Sequence, residues 1–339
     1  MDSRVFEWMG PARVAVETTG RVANGENVLI VTDTRVREFP GCRELVDAVY
    51  AACRYVGAEV SLIEFTSRTR PNEELPKVVA GAMAASDVVY FLPTYGAIHT
   101  SATDGAQKAG ARVVALGAAT YFGQGDVLSR LVPRSADEVE QWGKLTGRLA
   151  AILRKGGTLR VRTTRGTDLT CRIGSLQIHT MDAQYRGPGQ FTHFIGGMAG
   201  GGVDPGTMQG RQVVDAAIMP IFRPLTSEPP VILDIKDGYV TDVGGGPAAS
   251  EWKQMADALG DPECLLIAEF GFGCHPRATV PAGRTSNDER LFGGFHLGIG
   301  SNVAFGGKVQ AKWHVDSSGT AASAWLDDAQ LLDNGVYTV

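Results

Sequence analysis

The strongest constraint on the fold is a change in hydrophobic periodicity near residue 155. Before that point, short apolar runs such as 27–32 alternate with segments such as 44–56, whose apolar residues are spaced for one helix face. After it, residues 158–173 alternate apolar and polar positions around Arg165-Gly166-Thr167, a pattern typical of an antiparallel hairpin. The chain is therefore predicted to contain two domains of different class.

The first predicted domain, residues 1–155, is an α/β layer domain. Strands and helices alternate along it, which indicates a parallel sheet with crossover helices. A last helix, predicted over 137–154, closes the domain. The predicted strands are 27–32, 60–65, 88–92 and 113–116, and the predicted helices between them are 44–56, 74–84 and 101–109.

The second predicted domain, residues 156–339, is β-rich with many tight turns. Its glycines come in clusters, and a strand pair is predicted at 231–235 and 239–243. A phosphate-binding loop is disfavoured, because none of the clusters lies between a buried strand and a helix. The predicted fold class is an α/β N-terminal domain with a parallel sheet plus a β-rich (α+β) C-terminal domain.

Composition is that of a globular protein with a large core. The chain has 339 residues, of which 44% are hydrophobic, and its mean hydropathy is -0.04. Its apolar runs are far shorter than the roughly 18–20 residues that a bilayer helix needs. The first residues show no basic segment followed by an apolar one, as a secretory signal would. We therefore expect a cytoplasmic protein with no membrane partner.

The net charge and the cysteine pattern argue against a nucleic-acid-binding protein, a disulfide-rich protein and a thiolate zinc protein. The net charge of -5, with scattered basic residues, gives no footprint for nucleic acid. Five cysteines, an odd number without CxxC spacing, argue against a disulfide framework and a thiolate zinc site. We expect reduced thiols and a small molecule as the partner.

Four donors in the last quarter of the chain read as a metal site: Glu269, His296, His314 and Asp316. Glu269 lies in an apolar strand-like run, where a carboxylate needs a cation or hydrogen bonds. His314 and Asp316 are two residues apart and so share one face of a strand. Imidazole and carboxylate together suit iron, zinc or manganese. The alternatives are an Asp316 that only accepts a hydrogen bond from a surface His314, and a His296 that is a core histidine.

Two further histidines are candidates for proton transfer. His99 follows the predicted strand 88–92, at the edge where open α/β sheets bind ligands. His193 opens a glycine-rich stretch and could equally cap a turn. His275, in Gly-Cys-His-Pro, is interpreted as a turn residue rather than a ligand.

The order of these motifs resembles the aminopeptidase T metallopeptidase superfamily. The matching segments are Glu269-Phe-Gly-Phe-Gly-Cys-His-Pro, the run 288–302 that contains His296, and His314-Val-Asp316. The resemblance implies an α/β domain followed by a catalytic domain whose Glu, Glu, His, His and Asp hold two metals. Glu269, His296, His314 and Asp316 match four of these positions. It also implies a dimer or higher homo-oligomer.

The fifth ligand position departs from the peptidases. Thr207 stands where they have a glutamate, which favours a single metal. A divergent branch of the superfamily, the 2,5-dihydroxypyridine 5,6-dioxygenases, is similar in this respect, and His99 and His193 fall where that branch has its two non-ligand histidines. The branch has a histidine and a serine among its ligands where this chain has Glu269 and Gly298.

Two functions follow from this resemblance. The favoured one is an Fe(II) ring-cleaving dioxygenase acting on a small hydroxylated, N-heterocyclic aromatic ring with O₂ as co-substrate. In it, His99 and His193 are the catalytic residues that deprotonate the substrate hydroxyl and later return a proton. The alternative is a hydrolase, aminopeptidase-like or acting on a cyclic amide, in which Zn²⁺ or Mn²⁺ in the same site activates water.

Overall fold

A computed structural model of the protein describes residues 3–98, 100–124 and 126–339. The chain divides into two compact units. Unit 1 comprises Met1–Gly143 and Met181–Gly196, and unit 2 comprises Lys144–Thr180 and Gly197–Val339. These units differ from the predicted domains 1–155 and 156–339, and that division stays a prediction.

The elements of the described residues are as follows. The strands are β1 Asn27–Asp33, β2 Glu59–Phe65, β3 Val88–Leu92, β4 Arg112–Ala115, β5 Gly157–Arg162, β6 Asp168–Ile173, β7 Ile178–Met181, β8 Phe191–His193, β9 Met198–Gly202, β10 Gln209–Val214, β11 Ala217–Ile218, β12 Val231–Lys236, β13 Tyr239–Gly245, β14 Ile267–Gly273, β15 Phe295–Gly300, β16 His314–Gly319, β17 Ser323–Leu326, β18 Ala329–Asp333 and β19 Val336–Tyr337. The α-helices are α1 Ser3–Glu7, α2 Met9–Arg13, α3 Cys42–Tyr55, α4 Lys77–Ala84, α5 Ser101–Lys108, α6 Ala119–Phe122, α7 Val127–Leu131, α8 Ala136–Leu153, α9 Pro247–Leu259 and α10 Thr285–Asp288.

Unit 1 contains a parallel sheet in the order β2-β1-β3-β4-β8. Strands β3 and β4 are buried along their whole length, which explains their continuous apolar sequences. Helix α3 ends before Gly57, whose φ of 85° is the left-handed conformation that glycine adopts readily. The parallel sheet predicted for the first half is confirmed.

The fifth strand of this sheet comes from the second half of the chain. β8 pairs with β4 in parallel, so that Phe191 lies beside Val113 and His193 beside Ala115. A three-residue strand is too short to show a periodicity, and its partner is more than seventy residues away in sequence. The segment that carries His193 therefore belongs to unit 1, which the sequence did not indicate.

Unit 2 contains two sheets, in which neighbours such as β5 and β6, β12 and β13, and β14 and β15 pair antiparallel. The eight-stranded sheet has the order β13-β12-β10-β6-β5-β17-β18-β19, and the six-stranded sheet has the order β11-β16-β15-β14-β9-β7. The predicted pairs are present as β5 with β6 and β12 with β13. Asp237 and Gly238 both have positive φ, as a two-residue hairpin turn requires.

The core of unit 2 receives side chains from both sheets. Leu159 and Leu233 of the eight-stranded sheet join Phe270, Leu297 and Val315 of the six-stranded sheet in one apolar cluster. Successive side chains of a strand point to opposite faces. One face of β14, β15 and β16 therefore builds the core, and the other is left for polar residues.

None of the helices among the described residues is both long and apolar enough to cross a bilayer. All five cysteines are buried and carry free thiols. The cytoplasmic location stays a prediction.

Candidate metal centre

The predicted ligands come together on three adjacent strands. In the register of the six-stranded sheet, Gly298 of β15 lies between Glu269 of β14 and Asp316 of β16. Because the middle residue is a glycine, the two carboxylates face each other across β15 without an intervening side chain. His314 shares the face of Asp316, as its spacing predicted.

A β-bulge turns Glu269 toward this face. Ile267 pairs with Ile299 and Glu269 with Gly298, so the extra residue between them interrupts the alternation of β14. Without it, Glu269 would share the core face of Ile267. Bulges often re-aim a side chain next to a functional site. Here the bulge takes a carboxylate out of the apolar core.

Glu269, His314 and Asp316 form the donor group. His314 Nε2 lies 3.0 Å from Glu269 Oε2 and 3.7 Å from Asp316 Oδ1. One ligand atom of each of the three residues lies within 4.8 Å of the others. Ligand atoms about 2.0–2.2 Å from a shared ion fit within such a separation.

The ring of His314 is oriented by the backbone. Its Nδ1 donates a hydrogen bond to the carbonyl oxygen of Ser301 at 2.7 Å, so Nε2 is directed at the two carboxylates. A metal-ligating histidine usually donates its other ring N–H in this way. Burial opposes a charge on His314, but the hydrogen bond that it donates to Glu269 and the charges of Asp316 and Glu269 raise its pKa to about 9. This nitrogen thus faces a strongly negative environment that favours a cation.

Two glycines make room for the group. A Cβ atom on Gly298 would lie 2.7 Å from Glu269 Cβ and 2.7 Å from His314 Nε2. A Cβ atom on Gly271 would lie 2.1 Å from His296 Cε1. Both contacts are shorter than packed atoms tolerate, so any other residue here would displace a predicted ligand.

His296 contacts the donor group through Glu269. It is fully buried, and its Nε2 lies 3.4 Å from Glu269 Oε1. Its Nδ1 is a buried atom without a hydrogen-bond partner. Burial raises the pKa of Glu269, but hydrogen bonds from His296 and His314 outweigh it and hold the pKa below its usual range. Three of the four predicted ligands thus form one group, and the fourth lies beside Glu269.

Sequence reasoning missed Glu289 and Arg290, which lie next to this group. Burial raises the pKa of Glu289 well above its usual range, and the charge of Asp316 adds to the effect. Glu289 and Asp316 share a hydrogen bond, and Arg290 donates to Glu289 Oε2 at 3.2 Å. The signal in the sequence was three successive charged residues, 288–290, between two apolar strands.

Aromatic rings border the centre on one side. The ring of Phe305 lies 6.0 Å from the ring of His314 and 5.2 Å from the ring of His179. Burial lowers the pKa of His179, so this histidine is neutral near pH 7. His179 could not be singled out from the sequence, because its neighbours carry no recognisable motif.

The two predicted proton-transfer histidines are placed differently. His193 ends β8 in unit 1, and its ring packs edge-on against Phe191 at 5.0 Å. His99 lies outside the residues that the structure describes.

Thr207 is engaged in a turn. Its hydroxyl donates to the carbonyl oxygen of Asp204 at 2.6 Å and accepts from the backbone N–H of Arg172 at 3.1 Å. A hydroxyl held by these backbone groups cannot act as the bridging carboxylate of a two-metal peptidase site.

The donor set fits one divalent cation. It offers an imidazole nitrogen and two carboxylates, which suit iron, manganese or zinc. Glu269 is buried and the side chain of Asp316 is only 14% exposed, and buried carboxylates without a cation are strongly disfavoured.

Comparison with known proteins identifies the family. The family model of NicX, 2,5-dihydroxypyridine 5,6-dioxygenase, matches residues 12–339. This chain belongs to that family. The 2,5-dihydroxypyridine 5,6-dioxygenase of Pseudomonas putida KT2440 is 25% identical over 261 residues, which cover 74% of this chain and 71% of that protein.

Two solved structures share the fold. The 2,5-dihydroxypyridine dioxygenase of Pseudomonas putida KT2440 has a TM-score of 0.81 at 20% identity, covering 98% of this chain and 97% of that one. Wild-type AmpT of Thermus thermophilus has a TM-score of 0.66 at 13% identity, covering 98% and 99%. The predicted relation to the dioxygenase branch is confirmed, and the fold is shared with AmpT.

Membership of the 2,5-dihydroxypyridine 5,6-dioxygenase family makes the chain an enzyme. The predicted class, a ring-cleaving dioxygenase that uses a small-molecule substrate and O₂, is likewise confirmed. A metal centre is available in the group of Glu269, His314 and Asp316.

Proposed function

We propose that this protein is a mononuclear Fe(II) dioxygenase that opens the ring of a hydroxylated pyridine such as 2,5-dihydroxypyridine. The observation that carries the proposal is the donor group of Glu269, His314 and Asp316 in a chain of this family. One nitrogen and two carboxylate donors leave positions free for other ligands. The bound ion would supply O₂ activation and a binding position for the substrate hydroxyl.

Three residues would hold the ion, and their neighbours would hold them in place. His314 is fixed by Ser301 through Nδ1. His296 lies within reach of Glu269 Oε1 through Nε2 and would orient that carboxylate. The prediction of His296 as a direct fourth ligand stays a prediction, and its unpartnered Nδ1 gives no second anchor for the ring.

Glu289 is proposed to support Asp316 from the opposite side. Burial and the charge of Asp316 raise the pKa of Glu289 well above its usual range, which favours the protonated carboxyl as the donor in its hydrogen bond with Asp316. This arrangement would direct the other lone pairs of Asp316 toward the cation. Arg290 offsets part of the negative charge around it.

The proton transfers are assigned to His99 and His193. Ring cleavage requires that the substrate hydroxyl loses a proton and that a proton returns to the product. An imidazole that titrates near neutral pH can do both. The assignment rests on the family resemblance of these two positions.

A single metal is favoured over the two metals of a peptidase. Thr207 occupies the position of the missing glutamate, and its hydroxyl is already bonded to Asp204 and Arg172. Without a bridging carboxylate, two cations would repel each other without compensation. Peptide hydrolysis by a paired-metal mechanism is therefore disfavoured.

We further propose a homo-oligomer, a dimer or larger, on the strength of the family resemblance. Sedimentation of the purified protein tests this point independently of the chemistry.

Metal analysis of the purified protein tests the site. We expect one iron per chain in the wild type and none in Asp316→Ala, and both proteins should be folded in the absence of metal. Asp328→Ala, which removes an exposed aspartate, is the matched control and should keep its iron. Two metals per chain, or full iron in Asp316→Ala, would refute the assignment.

A further inference from the structure

A polar pair lies inside the core of unit 2, directly behind the proposed ligands. Gln212 of β10 and Ser317 of β16 are both completely buried. The Gln212 amide donates to the backbone oxygen of Ser317 at 2.9 Å, and the Ser317 hydroxyl donates to Gln212 Oε1 at 2.8 Å. The two residues therefore satisfy each other where apolar side chains would be expected.

The pair joins three strands. The Ser317 hydroxyl also lies 3.2 Å from the backbone oxygen of Leu297 in β15. Gln212 belongs to the eight-stranded sheet, whereas β15 and β16 belong to the six-stranded sheet. The network thus ties the strand that carries His314 and Asp316 to its neighbour and to the facing sheet.

Apolar burial alone defines the register of β16 poorly. The strand reads His-Val-Asp-Ser-Ser-Gly, and its core face carries Val315, Ser317 and Gly319. Only Val315 offers a large apolar side chain to the core. Strands that lack a strong apolar face, or are rich in glycine, are prone to slip.

A slip of β16 would destroy the donor group. A shift by one residue would move His314 and Asp316 to the core face, and a shift by two would carry them along β15, away from Glu269. Neither Val315 nor Gly319 could replace Ser317, because neither side chain can exchange hydrogen bonds with Gln212. The pair therefore discriminates against the two-residue shift, whereas the one-residue shift is opposed by the cost of burying His314 and Asp316 in the apolar core.

We propose that Gln212 and Ser317 are positioning residues that lock the register of β16 and so place His314 and Asp316 against Glu269. The expected effect on metal affinity rests on the proposed metal centre, whereas the expected effect on the register concerns β16 alone. Buried polar groups that specify one register are known from coiled coils.

A second set of hydrogen bonds at the end of β16 supports the proposal. Asp215, in the segment that connects β10 to β11, accepts from the backbone N–H and the hydroxyl of Thr320, each at 2.8 Å. β11 itself pairs with β16 at Ser317 and Ser318. The segment 212–218 thus follows β16 closely and holds it at several points.

The test compares the double variant Gln212→Leu/Ser317→Ala with Thr167→Val. The double variant removes both partners, so neither side chain is left buried and unsatisfied. Thr167 is a matched control, because its buried hydroxyl accepts from the N–H of Val213, next to Gln212, and bonds to β10 rather than to β16 in the part of the chain that the structure describes. Two quantities are measured: Co(II) affinity, and hydrogen exchange of the β16 amides in the metal-free protein.

We expect the double variant to bind Co(II) about 10- to 100-fold more weakly, as when a residue supporting a metal ligand is lost, and to exchange its β16 amides faster than the wild type. Thr167→Val should lose thermal stability and keep both Co(II) affinity and β16 exchange. The single variant Ser317→Thr, which retains the hydroxyl beside an unchanged Gln212, should keep the wild-type affinity. Wild-type affinity and exchange in the double variant would overturn the proposal.

Two other outcomes are also decisive. If the wild type binds no Co(II), the proposed metal centre fails, and the register lock is then judged by exchange alone: faster β16 exchange only in the double variant supports it, and equal exchange overturns it. If the double variant does not fold, Ser317→Ala is measured in its place against the same control, with the same two readouts.

Discussion

The two faces of the six-stranded sheet obey opposite rules. On the core face, Phe270 and Leu297 join one apolar cluster, and their contribution depends on volume and packing. On the other face, Glu269, His314 and Asp316 bring charges together, and their contribution depends on a cation. One set of strands therefore provides stability on one face and chemistry on the other, because alternate residues face different surroundings.

The largest effect is expected for substitution of a donor, which should abolish metal binding and leave the fold intact. His314→Ala removes the imidazole that faces both carboxylates, so we expect complete loss of metal with the fold retained. Metal content and circular dichroism measured on the same sample check this. Retention of metal by the variant would show that the donor face is assigned to the wrong residues.

pH should act on the donor face alone. The pKa of His314 is raised from 6.5 to about 9, so below about pH 9 metal binding must release a proton. Apparent affinity should therefore rise about tenfold per pH unit, or about a hundredfold between pH ~6.5 and pH ~8.5. Manganese titrations at these two values measure it, and an affinity independent of pH would contradict the assignment of His314.

The same shift has a consequence for the metal-free protein. Because the folded pKa lies above the ordinary value, protonated His314 stabilises the fold fully below about pH 6.5, and this contribution is lost as the pH rises through about 9. Chemical unfolding of the metal-free protein at both ends of this range measures it. His314→Ala is the control and should lack this part of the pH dependence.

A single methyl group added among the donors should weaken metal binding moderately. In Gly298→Ala the added carbon would lie 2.7 Å from His314 Nε2, and such overpacking costs about 1–3 kcal/mol, which corresponds to about fivefold to 150-fold in affinity. Gly244→Ala, where no atom lies within 4 Å of the new carbon, is the control. Equal affinities in the two variants would mean that the donors do not lie around Gly298.

The smallest effect on metal affinity is expected for a substitution on the core face. Ile299→Val removes one methyl group from a fully buried position and should lower the free energy of unfolding by about 0.5–1.5 kcal/mol. Metal affinity should stay at the wild-type value, because the side chain points away from the donors. A loss of affinity comparable to that of Gly298→Ala would mean that the two faces are coupled rather than separate.

Much of this architecture could be predicted from the sequence. The strand at 88–92 is observed with the predicted bounds, because a fully buried strand leaves a continuous apolar run. His314 and Asp316 share a face because their spacing matches the strand repeat. These predictions succeeded because they depend on residues that are adjacent in sequence.

Predictions that depend on distant pairing were less complete. β8 pairs with β4 across a long stretch of chain, and no local pattern records such a partner. The bulge before Glu269 depends on the register with β15, and the environment of Glu289 depends on Asp316, which lies near it only in the folded protein.

The central claim is that Glu269, His314 and Asp316 hold one iron at which a hydroxylated pyridine ring is opened by O₂. The most direct measurement follows the aromatic absorbance of 2,5-dihydroxypyridine with Fe(II)-loaded protein, in the presence and in the absence of O₂. We expect the absorbance to decrease only in the presence of O₂, and to stay unchanged with the His314→Ala variant. Turnover that proceeds equally without O₂, or an unchanged ring together with amide hydrolysis by the zinc-loaded protein, would contradict it.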